Sequence, residues 1–532
     1  MSDAGAVKGP AKQRGLLRSS LLVSVMTLLS RVLGLIRDVV IANFLGASSN
    51  ADCFFVAFKI PNFLRRLFAE GAFSQAFVPV LSEYRENGNT AAIKLLVDRV
   101  AGALGGVLLL VTSLAVIASP LVATLFAPGF RDDPTKFQLT SDMIRITFPY
   151  LFLISMTGFA GGILNTFGRY AVPAFTPVLL NVCMIVAAVC MSQYFAEPAM
   201  ALAWGVLMAG AVQMVFQMPF LQRIQMLPRP RWAWEDPGVQ KIITLMIPAL
   251  FGVSISQINL LLDTILASFL PTGSISWLYY SDRLVELPLG VFAIAIATVV
   301  LPNLSRLRAG GNELAFGATL DWGLRSVLLM AIPATAALLL LAEPILVTLF
   351  QYGEMKLSDV TMSALSLRAY TLGLIPFMLI KVLAPGFYAR QDTKTPVRIG
   401  IIAMVANMVM NLALVIPLHH YWQIGHAGLA LATAASAWLN AGLLYRGLGH
   451  KAGFKALPGW GRYCMQLGLA VAAMSVCLWY GLQWFDGWQQ WGAMQRAMHL
   501  MGLCVAGSAV YIAVMLVCGL RLKDLRGSVP RA

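Results

Sequence analysis

The sequence predicts an all-α, polytopic membrane protein of about fourteen transmembrane helices, and three observations carry that reading. Hydrophobic residues make up 58% of the 532-residue chain and charged residues 12%, with a mean hydropathy of +0.75, far too apolar for a soluble globular protein. Apolar windows of the roughly 20 residues needed to cross a 30 Å hydrocarbon core recur from Leu16 to the C-terminus. Lipid-facing irregular backbone is excluded and no alternating strand pattern occurs, so the spans are helices.

Taken in order, the N-terminal MSDAGAVKGPAKQRGLLRSS has no apolar stretch followed by a small-residue cleavage site and reads as a short cytoplasmic tail. The spans centre near Met26, Leu67, Leu110, Leu153, Ile185, Met208, Leu260, Ala293, Pro333, Phe377, Met408, Thr433, Ala470 and Ala506. If the first span starts inside, the inside segments carry Lys8, Lys12, Arg14, Arg18, Arg85, Lys94, Arg169, Arg223, Arg229, Arg231, Lys241, Arg306, Arg308, Arg390, Lys394, Arg398, Arg446, Lys451, Lys455, Arg462 and the basic C-terminal tail. The outside loops offer Arg131, Lys136, Lys356 and Arg496. That asymmetry follows the positive-inside rule and places both termini in the cytoplasm. It also accounts for most of the net charge of +15, which in a soluble chain would suggest nucleic acid. The seven cysteines all lie in apolar segments without CxxC pairing and read as packing residues.

An internal repeat at a shift of about 225 residues organises the chain as transporters are often organised. Asp38, Ala42, Phe44 and Leu45 recur as Asp263, Ala267, Phe269 and Leu270; Lys59 recurs as Arg283; Phe148-Pro149, Arg169, Pro173 and Asn181 are echoed by Ile375-Pro376, Arg390, Pro396 and Asn407. Six spans separate the copies, so the repeat is parallel. It gives an N-terminal lobe (1–227), a C-terminal lobe (228–449) and an appended helix pair with a tail (450–532).

The charges inside apolar stretches are the candidate functional residues. SRVLGLIRD and the following ADCFFVAFKIPNFLRRLFAEGAF carry Arg31, Arg37, Asp38, Asp52, Lys59, Arg65, Arg66 and Glu70. A charge facing lipid at the bilayer centre costs about 2.5–3.5 kcal/mol, so these groups must face water, one another or an anion. Arg31 and Arg37 point about 120° apart on an ideal helix, and Gly34 between them offers a place to bend. The competing readings are that Arg31 snorkels and Arg37 pairs with Asp38 or Asp52. Arg66 can meet Glu70 one turn on, and Glu70 suits a gate latch. In WLYYSDRLVELP, Arg283 lies between Asp282 and Glu286, either presenting a cation from the second lobe or neutralised locally.

A second polar set joins Asp263, Asn407, Asn411 and Thr433, read either as a low-charge oxygen site for a monovalent cation or proton, or as interhelical hydrogen-bonding glue. The histidines lie at loops and span ends, and no nucleophile, paired-carboxylate or phosphate-loop motif occurs, which argues against an enzyme. Guanidinium groups stay charged and grip phosphate bidentately, so several of them suit a lipid-linked diphosphate better than a carboxylate.

These stretches, with ITFPYLFLIS, SWLYYSDRLVELPLGV and KVLAPGFYARQDTKTPV, resemble the MurJ (MviN) lipid II flippases of the MOP superfamily from about Leu21 to Leu448. The resemblance implies an inner-membrane transporter that moves lipid II, the undecaprenyl-diphosphate peptidoglycan precursor, from the cytoplasmic to the periplasmic leaflet by alternating access. It places the family's cavity cations on Arg31, Arg37, Arg65 and Arg283, with Ser30, Asp38, Asp52, Asn62 and Glu70 at other motif positions. It also implies a prenyl-tail groove by the last two helices. A sodium site of some members would fall on Asp263, Asn407 and Asn411, where this sequence has Asn411 in place of an acid. The expected agents are lipid II, membrane lipids and the cell-wall synthesis machinery, with no nucleic acid, no cofactor, coupling to membrane potential or a monovalent cation, and a monomeric chain. The rivals are a drug/cation antiporter of the same superfamily, which a cationic cavity disfavours, and an enzyme acting on polyprenyl diphosphate.

Overall fold

The structure, a computed structural model, describes residues 10–66, 72–86, 88–485 and 487–520. It is all-helical, 85% helix, with no strand among the described residues. Among the described residues ten helices are long and apolar enough to cross a membrane, which makes the chain an integral membrane protein. The helices that hold the candidate charges are not among the ten. Two of them are short, Ser49–Arg65 with 17 residues and Ser274–Pro288 with 15, and the expected span centre Leu67 lies outside the described residues.

The chain divides into two compact units, Met1–Phe269 and Leu270–Ala532. The first contains α1 (Pro10–Leu45), α2 (Ser49–Arg65), α3 (Phe73–Glu86), α4 (Thr90–Ile117), α5 (Ser119–Phe126), α6 (Pro134–Thr147), α7 (Tyr150–Thr166), α8 (Ala171–Val186), α9 (Pro198–Arg223) and α10 (Pro237–Ala267). Local chemistry sets the starts. Ser48 Oγ accepts from Ala51 N at α2, Asn89 from Ala91 N and Ala92 N at α4, Asp133 from Thr135 N and Lys136 N at α6, and Asp236 from Gly238 N and Val239 N at α10. Pro134 and Pro237 take first-turn positions, where a missing N–H costs nothing.

Within this unit α1 packs along α8, α2 on α6 and α9, and α3 on α7 and α10. The core is aromatic: the Phe77 ring lies 5.1 Å from Phe73 and 5.0 Å from Phe159, against Leu81, Val97 and Ile163. The strand of loop before α10 is laid along α4. Arg229 N donates to Asp98 Oδ1 at 2.7 Å and Arg231 N to Asp98 O at 2.9 Å. A Cβ on Gly102 would lie 2.1 Å from Arg231 O, so this approach requires glycine. The strap delivers α10, which the repeat places at the start of the C-terminal lobe, onto α3 and α4.

The second unit contains α11 (Ser274–Pro288), a π-helical turn at Leu289–Ala293, α12 (Ile294–Ala309), α13 (Glu313–Phe350), α14 (Leu357–Thr371), α15 (Leu374–Tyr388), α16 (Lys394–Trp422), α17 (Gly425–Ala452), α18 (Trp460–Trp484) and α19 (Ala493–Val517). Here α16 pairs with α17, and α13 packs against α12, α14, α15, α18 and α19. Leu329, Leu467, Ala470 and Met515 seal the α18–α19 pair onto α13. Asp321 reinforces that seal by accepting from Leu457 N at 3.0 Å, Trp460 Nε1 at 2.7 Å and Arg325 Nε at 2.8 Å. On α16 the outward positions Val405, Val409, Leu412 and Ile416 are exposed and apolar, as a lipid-facing stripe requires.

Candidate anion-binding site

In the first unit α1 runs helical through Gly34, with no unwinding there. The expected break is unnecessary because Arg37 reaches its partners from an intact helix. Its Nε and Nη2 both donate to Asp38 Oδ1, at 2.9 and 2.6 Å, and its Nη1 donates to Asn181 Oδ1 at 3.0 Å. Phe58 lies beneath the guanidinium, with 5.9 Å from Cζ to the ring centroid. Arg37 is 6% exposed and Asp38 2%, so of the two readings of this arginine the structure displays the Asp38 pair.

Ser30 enters this cluster through its backbone, whose carbonyl accepts from Asn181 Nδ2 at 2.9 Å. Arg31 is half-buried and has no ion-pair partner among the described residues. On α2, Arg65 Nε donates to Asn62 Oδ1 at 3.4 Å while Asn62 Nδ2 donates to Phe58 O at 2.8 Å. Arg65, Arg66 and Lys59 are half-buried. Glu70, the expected partner of Arg66, lies outside the described residues.

Asp52 pairs with Lys136 Nζ at 3.3 Å, and that lysine also covers the Phe130 ring at 4.2 Å. Lys136, expected in an outside loop, is instead 7% exposed on α6. Arg496 likewise turns inward, donating to the carbonyls of Val347, Gln351 and Gln489. A basic residue near a span end reads the same from sequence whether it faces water or folds back onto carbonyl groups.

In the second unit Arg283 Nη1 donates to Glu286 Oε2 at 2.9 Å and the guanidinium stacks over Tyr279 at 5.0 Å. The Arg283 side chain is 29% exposed, so this pairing leaves the cation reachable. Asp282 beside it is half-buried. Lys381, which sequence reasoning passed over within its motif, is exposed on α15 and has no ion-pair partner among the described residues; its position inside an apolar span was the available signal.

Asn407, Asn411 and Thr433 come together as expected. Asn411 Nδ2 donates to Asn407 Oδ1 at 2.9 Å, and Asn407 Nδ2 lies 3.4 Å from both Thr433 Oγ1 and Ser436 Oγ. Both asparagines are fully buried, and the one carboxylate expected with them is Asp263. Asp263, 8% exposed, belongs to α10 in the first unit.

Guanidinium groups on membrane helices, with Arg37 and Arg283 over aromatic rings and Arg65 against an amide, are suited to holding a phosphate-bearing anion. The family described as lipid II flippase MurJ matches residues 41–502. A probable lipid II flippase MurJ from Vibrio cholerae is 53% identical over 523 residues, covering 96% of this chain and 98% of the relative. Among solved structures, a lipid II flippase MurJ in an inward closed conformation superposes with a TM-score of 0.77 at 26% identity, over 93% of this chain and 98% of that one. An inward-facing MATE multidrug transporter of the MOP superfamily matches with a TM-score of 0.65 at 15% identity over 82% of this chain and 99% of its own, a likeness of fold alone. With a family match across most of its length and a relative more than half identical end to end, this chain belongs to the MurJ family of lipid II flippases, transporters rather than enzymes.

Proposed function

We propose that this protein moves lipid II from the cytoplasmic to the periplasmic leaflet of the bacterial inner membrane by alternating access, with Arg31, Arg37, Arg65 and Arg283 as diphosphate ligands and Ser30 and Asn62 beside them. The observation that carries this reading is the set of guanidinium groups carried on membrane helices: Arg65 bonded to Asn62, Arg283 over Tyr279 with its side chain 29% exposed, and Arg31 half-buried without an ion-pair partner among the described residues. Asp38, Asp52, Arg66, Glu70, Asp282 and Glu286 act as charge partners that exchange during the cycle. The two repeat-related lobes and the C-terminal pair amount to fourteen spans, ten apolar enough to stand out and four marked by the charges they carry. Both termini are cytoplasmic, and the protein works as a monomer alongside the cell-wall synthesis machinery.

Depletion of the protein, followed by measurement of lipid II in each leaflet, tests the proposal. Lipid II is expected to accumulate in the cytoplasmic leaflet, chemically unchanged. An altered product would point to an enzyme, and an unchanged leaflet distribution would end the flippase reading for this chain.

A further inference from the structure

Asn181 lies on α8 with its side-chain amide against α1. It accepts from Arg37 Nη1 at 3.0 Å and donates from Nδ2 to Ser30 O at 2.9 Å. A guanidinium can only donate and a carbonyl can only accept, so these two partners fix which end of the amide faces which. Ser30 and Arg37 are about two turns apart, yet helix carbonyls point toward the C-terminus and side chains lean toward the N-terminus, so both groups converge at the level of Gly34. A Cβ on Gly34 would lie 3.7 Å from Asn181 Nδ2 and 3.9 Å from Oδ1. The bare backbone of Gly34 is therefore the floor on which the amide rests.

We propose that Asn181 is a positioning residue for Arg37, setting the plane of its guanidinium and so the edge that Arg37 presents to the lipid diphosphate. The proposal rests on the reading of Arg37 as a diphosphate ligand. Asp38 holds the Nε and Nη2 positions of the guanidinium, and Asn181 holds Nη1. Partners at different nitrogens define a plane, and losing the one at Nη1 removes a constraint on how the group is turned. An amide suits this task because it is a neutral acceptor. A carboxylate in its place would grip Arg37 harder but set a second negative charge beside it, repelling the phosphate, and would face Ser30 O with an acceptor. Asn181 is 5% exposed, which keeps water from substituting for it.

The test is a double-mutant cycle on the full chain in lipid nanodiscs, reading lipid II affinity and thermal stability. Asn181→Ala is expected to weaken affinity about tenfold, the scale of losing a hydrogen bond to a charged group. In an Arg37→Ala background the same change is expected to cost less than about twofold, since its target is gone. Asn181→Asp is expected to bind more weakly than Asn181→Ala while unfolding no earlier than the wild type. A residue that merely ties α1 to α8 would give the opposite order, because a charged pair ties more tightly. Where Asn181→Ala fails to fold, Gly34 gives a second route: Gly34→Ala fits beneath the amide and keeps wild-type affinity, whereas Gly34→Leu displaces it and loses affinity as Asn181→Ala would. An additive cycle, wild-type affinity in Asn181→Asp, or wild-type affinity in Gly34→Leu would overturn the positioning role. Wild-type affinity in Arg37→Ala alone would overturn the ligand reading of Arg37, and the positioning role with it.

Discussion

At the scale of single residues, the four arginines differ in how firmly the protein already holds them. Arg37 is buried and engaged by Asp38 and Asn181, whereas the Arg283 side chain, beside Glu286, is 29% exposed. A diphosphate therefore meets Arg283 with less rearrangement. Arg283→Ala is expected to fail in supporting growth once the native copy is removed, and Arg283→Lys to be impaired at equal membrane levels. A lysine offers a point charge where a planar fork can bond bidentately, and losing one charge-assisted hydrogen bond costs about 1.5–3 kcal/mol, tenfold or more in affinity. Arg446→Ala, exposed on α17, is the tolerated control in the same complementation assay. These arginines were legible in the sequence because a charge in an apolar stretch needs a reason. Their near partners Asp38 and Glu286 were legible with them, but the distant partners of charges in the same helices were not: Asn181 is 144 residues from Arg37 and Lys136 is 84 from Asp52, distances that no local periodicity spans.

At the scale of elements, the long apolar helices announce themselves, ten of them among the described residues, whereas α2 and α11, which carry site arginines, are only 17 and 15 residues long. The helix starts at Ser48, Asn89, Asp133 and Asp236 are set by local caps. What sequence could not supply is how α18 and α19 are fastened to the rest of their unit. Asp321 on α13 is 2% exposed and bonds Leu457 N, Trp460 Nε1 and Arg325 Nε, while Arg325 stacks on Trp460 at 5.0 Å and donates to Pro458 O at 3.0 Å. Removing one member of a buried charged pair typically costs about 3–5 kcal/mol because the remaining group is left without its partner, and the partial exposure of Arg325 brings the figure toward the lower end. Asp321→Ala is expected to lower the thermal midpoint and to open residues 453–459 to protease, both measurable on detergent-purified protein. Unchanged cleavage would mean that the apolar seal of Leu329, Leu467 and Met515 suffices without the polar hub.

At the scale of the whole molecule, the direction of the chain across the membrane and the source of its drive are argued from charge. On the proposed topology, with both termini in the cytoplasm, a C-terminal alkaline phosphatase fusion is expected to be inactive and a green fluorescent protein fusion bright. The drive follows from which charges move. The lipid II diphosphate is anionic, and carrying one net charge through the field is worth about 2.3 kcal/mol per 100 mV, enough for an interior-negative potential to favour outward transfer. A sodium gradient has a weaker hold on this chain. The expected set Asp263, Asn407, Asn411 and Thr433 has a single carboxylate, and Asn407 Oδ1 already accepts from Asn411 Nδ2 at 2.9 Å. Small hard cations bind by ligand charge as well as oxygen count, so a set with one carboxylate gives little affinity. In proteoliposomes, collapsing an imposed potential is therefore expected to slow lipid II translocation several-fold, and replacing sodium by choline at fixed potential to leave the rate within about twofold. Asn411→Ala should then retain transport. A strict sodium requirement, lost together with transport in Asn411→Ala, would instead make the asparagine pair the coupling site and the potential a bystander.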